Sequence, residues 1–178
     1  MRILVLISFA LIGCDQGDLP GDAVGTYRVA ARLEENGCGP STPASVSAEF
    51  DVEIRREGET GFWIPQGQPP VTGVLDDRGI FLFQVAARLV VREEDPVLGL
   101  AACVLDRIDE VRGTVTVADE ADASAAPDGR LLGEQTLSVA AASGADCSDR
   151  IGLAEGQFLG LPCQIRYALE GDELASPR

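Results

Sequence analysis

The chain of 178 residues contains no histidine and no lysine; all 14 of its basic residues are arginine. Without histidine it has no side chain whose unperturbed pKa lies near neutrality, and it lacks the commonest metal ligand. Ser-His-Asp and Cys-His nucleophilic arrangements are therefore excluded within the chain. Aromatics are scarce, at 5% of residues with a single Trp, so few rings are present to line a cavity. Past residue 14 no amphipathic stripe of helical period exceeds about two turns, which argues against a helical fold. No internal repeat is present.

Acid is abundant. The 29 carboxylates against 14 arginines give a net charge of −15. No basic patch offsets them, so nucleic acid is not an expected partner. A hydrophobic fraction of 46% with 24% charged residues is the composition of a folded protein.

Met1-Arg2 is followed by a run, residues 3–12, that is apolar except for Ser8, and then by Gly13-Cys14. At ~1.5 Å per helical residue such a run reaches about half the thickness of a bilayer core, too short to span it. A charged start, a short apolar stretch and small residues before a cut make a secretory signal. Leu11-Ile12-Gly13-Cys14 resembles the lipobox of bacterial lipoproteins. That resemblance implies a diacylglyceryl thioether on Cys14, cleavage before it, and anchoring of the acylated chain in membrane lipid. Residues 1–13 are then the signal peptide, 14–24 a lipidated tether, 25–170 the folded domain and 171–178 a polar tail. The domain is expected in the cell envelope, in the periplasm or at the cell surface. From Cys14 onward 165 residues remain, enough for one domain with a real core.

With Cys14 assigned to lipid, Cys38, Cys103, Cys147 and Cys163 remain, an even number that favours two disulfides in an exported chain. Three connectivities are open; the one preferred on the sequence is Cys147–Cys163 with Cys38–Cys103. A four-thiolate zinc site needs close pairs, which these cysteines do not offer, and no metal or cofactor is expected.

Strict alternation runs through residues 46–55, where Val46, Ala48, Phe50, Val52 and Ile54 interleave with largely charged neighbours. Residues 27–34 and 164–170 alternate similarly. Further strands are read at 60–64, 71–75, 80–91, 101–117 (with an irregularity near Arg107) and 131–141. The expected fold is all-β: an antiparallel meander of about eight strands closing into a barrel or sandwich, stapled by disulfides.

Gly25-Thr26-Tyr27 at the head of the first strand is similar to the G-x-W opening of lipocalin-like barrels, with Tyr in place of Trp. The resemblance implies that Arg166 packs over Tyr27 and that the interior takes a small apolar molecule; a filled core is the other reading. Phe62-Trp63, before a Gly- and Pro-rich stretch, offers either an exposed aromatic contact loop or a Trp buried at one end of the barrel. Tyr27, Phe62 and Trp63 are thus the candidate binding residues. Asp119, Glu120, Asp122 and Asp128 share one loop and read as solvated acids, not as a calcium site. Glu49, Asp51 and Glu53 fall on an outward strand face.

No catalytic residue is assigned. The expected function is a lipid-anchored, non-catalytic module that binds a small ligand or an envelope protein or serves structurally. The alternative is a hydrolase of envelope polysaccharide working through two carboxylates.

Overall fold

The computed structural model describes residues 19–116, 129–152 and 156–175. The expected signal peptide, Cys14 and most of the tether lie outside them. So do Asp119, Glu120, Asp122 and Asp128, and the end of the tail.

Eight strands follow in order: β1 (Asp22–Asn36), β2 (Ser47–Glu57), β3 (Thr60–Pro65), β4 (Val71–Leu75), β5 (Ile80–Arg92), β6 (Cys103–Thr116), β7 (Arg130–Ala141) and β8 (Cys163–Glu173). Each pairs antiparallel with the next, and β1 pairs with β8 to close a barrel. The all-β antiparallel meander is therefore observed, as a barrel and not a sandwich. β1 takes in the last three residues of the expected tether, and β8 runs three residues into the expected tail.

Period-2 patterning sets the strand faces. Tyr27, Val29 and Ala31 of β1 and Val52 and Ile54 of β2 are buried, while the residues between them face out. Turn chemistry sets the connections. Between β4 and β5, Asp76 Oδ1 accepts hydrogen bonds from the backbone N–H groups of Arg78 (3.0 Å) and Ile80 (2.8 Å). Gly79 completes that turn at φ +80°, a conformation that costs glycine little.

The interior holds two apolar clusters. At the base, Tyr27, Trp63, Leu75, Phe81, Phe83, Val111, Leu131 and Leu169 pack together. Full burial of each large side chain here contributes roughly 1.5–3 kcal/mol. Close approach makes this possible: a Cβ at Gly113 would stand 2.2 Å from the Leu132 carbonyl oxygen and 2.8 Å from Phe81. At the opposite end Leu105, Val139, Phe158 and Ile165 surround all four described cysteines.

Two disulfides are present, but not in the expected pairing: the bonds are Cys38–Cys163 and Cys103–Cys147. Strand adjacency explains the correction. Cys38 follows β1 and Cys163 opens β8, and these strands meet at the barrel seam, with Asn36 opposite Ile165. Cys103 opens β6 and Cys147 follows β7, its neighbour, with Leu105 opposite Ala141. The Cα atoms of each pair stand 4.9 and 4.8 Å apart.

Two further differences concern regularity. β6 continues unbroken through Arg107, and the register shift lies instead in β5, between Val90 and Arg92. Val46 and Ala48, expected on the inner face of the second strand, are exposed, Val46 at 76%. They lie beyond the point where β3 ends, with Pro65 opposite Val52.

Candidate functional site

Prolines create the opening in the barrel wall. A proline contributes no N–H to a ladder, so Pro65 ends β3, and Pro69-Pro70 delay the start of β4 to Val71. Gly67, at φ +75°, and a Gln68 N–H to Pro65 carbonyl hydrogen bond of 3.0 Å turn the chain between them. The β3–β4 hairpin is consequently short. β4 pairs with β5 only from Gly73–Phe83 to Leu75–Phe81, whereas β5 continues to Arg92.

Where the hairpin stops, a cleft of about 560 Å³ enters the wall. Trp63, Phe83 and Val111 line its inner part, Pro65, Pro70 and Val71 one side, and Val85 the other. Trp63 is held by rings on three sides: Phe50 at 6.4 Å edge-on, Phe81 at 5.9 Å and Phe83 at 5.7 Å between centroids. Phe81 and Phe83 stack at 5.5 Å. Such an aromatic group is preformed and contributes beyond its buried area.

Asp109 and Gln135 add polarity to the lining. Asp109 stands opposite Val85 on one side and Leu137 on the other. Its carboxylate accepts two hydrogen bonds of 2.7 Å from Arg107, two residues along the same face of β6. The pair presents a neutral, hydrogen-bonding surface between aliphatic neighbours. Apolar walls with a few fixed polar groups are the usual make-up of a small-molecule site.

Of the candidate binding residues, Trp63 lines this cleft. Phe62 is also buried, but alternation puts it on the other face of β3. Tyr27 is wholly buried in the base cluster. Burial, and secondarily the charge of Glu173, push its hydroxyl up to about 12. Arg166 does not cover Tyr27, contrary to the lipocalin-like expectation. It pairs with Glu35 on the outer surface, whereas Tyr27 lies opposite Glu173 at the other end of β8.

Two of the outward carboxylates of β2, Asp51 and Glu53, serve surface pairing. Asp51 accepts bonds from Arg28 at 2.9 and 3.1 Å, which lower its pKa, and Glu53 meets Arg55 at 2.7 Å. Sequence reading missed Phe83, Val85, Asp109 and Gln135. A signal for Asp109 existed: Arg107 and Asp109 fall on the inward parity of an otherwise apolar face.

Among the described residues no helix is long and apolar enough to cross a membrane, and no group of three or more His, Cys, Asp or Glu side chains is placed to hold a metal. No protein family, curated protein or solved structure matches the chain.

Proposed function

We propose that the chain is a lipid-anchored lipoprotein of a bacterial cell envelope whose barrel binds a small, mainly apolar ligand without catalysis. The cleft walled by Trp63, Phe83, Val85 and Val111 is the observation that carries the binding reading. The lipobox residues 11–14 carry the anchor, and two disulfides fit an oxidising compartment. Among the described residues the cleft lining holds one carboxylate, Asp109, where two-carboxylate hydrolysis needs a pair, so the binding reading is favoured over the hydrolase.

Trp63, the only tryptophan, reports on the cleft directly. Titration with the neutral probe N-phenyl-1-naphthylamine should give saturable energy transfer from Trp63, and Val85→Arg should weaken it at least tenfold. Absence of saturable transfer would overturn the reading. For the anchor, Cys14→Ala should abolish incorporation of labelled fatty acid; labelling that persists would sink it.

A further inference from the structure

The short β3–β4 hairpin has a second consequence, in the backbone of β5. Ile80 and Leu82 direct their carbonyls toward β4: the Ile80 oxygen accepts the Asp76 N–H at 2.9 Å, and the Leu82 oxygen faces Gly73. Strand periodicity then aims the N–H and C=O groups of Gln84, Ala86, Arg88 and Val90 the same way. Beyond Phe83, however, β4 supplies no partner, and among the described residues no other strand pairs with this side of β5.

This edge carries none of the usual guards against strand addition. It contains no proline, and its one charge, Arg88, is held by Asp106 of β6 at 2.8 Å, on the side away from the edge. The remaining side chains up to Val91 are Gln84 and aliphatics. Val85 and Leu89, on the inward parity, are 42% and 43% exposed. The register shift after Val90 bends the strand and bounds the open stretch at its far end, as β4 bounds it at the near end.

Charge selects the occupant. Glu49 on β2, across the gap, and Glu93 and Glu94 at the end of β5 are exposed and make no ion pair among the described residues. A second copy would bring the same carboxylates and a net charge of −15 against −15. We infer that the free edge of β5, from Gln84 to Val90, takes up an extended peptide segment of another protein as an added strand. That segment would carry apolar side chains toward Val85, Ala87 and Leu89 and basic ones toward solvent. The site shares Gln84 and Val85 with the cleft but rests on backbone groups of β5 that the cleft reading does not use, so loss of one can be told from loss of the other.

The test uses the whole purified chain and a fluorescent, end-blocked nine-residue peptide of alternating Val and Arg, followed by anisotropy. Saturable binding is expected, weakening several-fold between about 50 and 300 mM salt as charge is screened. The Val/Glu counterpart should bind at least tenfold more weakly. So should the Val/Arg peptide N-methylated along one edge, which removes its ladder donors and leaves the protein untouched. Ala86→Pro, which deletes an N–H that no described strand uses, should cause the same loss while naphthylamine binding through Trp63 persists. Should that variant fail to fold, the N-methylated peptide decides alone. Equal binding by the N-methylated or the acidic peptide would overturn the inference. So would a peptide-free dimer in sedimentation that Ala86→Pro dissociates, since the edge would then belong to a second copy.

Discussion

Tyr27 and Glu173 stand directly opposite each other across the β1–β8 seam, and among the described residues neither the buried Tyr27 hydroxyl nor the buried Glu173 Oε2 finds a hydrogen-bond partner. Apolar packing in the base is thus extensive enough to hold two unsatisfied polar atoms, each normally costing ~1–3 kcal/mol.

This pair sets an alkaline limit. The Tyr27 hydroxyl is raised from 10.0 to about 12, so between those values the unfolded chain releases a proton that the folded chain keeps. Stability is fully present below pH 10 and falls as pH rises through the folded value, by up to about 2 kcal/mol. Tyr27→Phe should remove this dependence and be neutral, or stabilising by about 1 kcal/mol, at pH 7. Urea denaturation at pH 7 and pH 11 measures both; an unchanged alkaline slope in the variant would count against the assignment.

The disulfides differ in the length of chain they close. Replacing Cys38 and Cys163 together by Ser releases a closure of 125 residues, and replacing Cys103 and Cys147 one of 44. Loop-closure entropy predicts losses of about 5 and about 4 kcal/mol. Peptide mapping under non-reducing conditions should recover these two pairs and no peptide linking Cys147 to Cys163.

Gly73→Ala tests the seat of the short hairpin. The added methyl would lie 2.2 Å from the Leu82 carbonyl oxygen and 2.6 Å from the Phe83 ring. Relieving that overlap moves β4 away from β5 at a cost of about 2–3 kcal/mol. Thermal unfolding gives the cost, and a red shift of Trp63 emission should accompany it; an unshifted spectrum would mean the hairpin had not moved.

Arg107→Met leaves the Asp109 carboxylate facing the cleft without its partner, at a cost of about 1 kcal/mol or more. Adding Asp109→Leu should recover most of that loss. Equal and additive losses would show that the two residues do not act as a pair.

The strands were readable because most of them alternate cleanly. Val52 and Ile54, or Tyr27 and Val29, point inward as their spacing implies. The disulfide partners were not readable, because they depend on which strand ends become neighbours in the closed barrel. Nothing local to Cys38 indicates that β8 lies beside it. Arg107 and Asp109 misled in another way. Each alone looks like a break in an apolar face, whereas together they neutralise one another and the strand continues straight. Trp63 was identifiable as a candidate residue, but its cleft depends on Val85 and Gln135, which are distant in sequence and meet it only through registry.

β1 also has a mechanical consequence. Of its 15 residues, Asp22 to Arg32 pair with β2 and Tyr27 to Asn36 with β8, so its middle is held on both flanks, and its far end lies beside the Cys38–Cys163 bond. Tension arriving through the residues before Asp22 therefore loads both hydrogen-bond ladders lengthwise. They resist in shear, many bonds at once, and do not peel apart one by one. The covalent link then passes the residual force into β8. A domain pulled by its amino-terminal end is strongest at the strand that takes the load first.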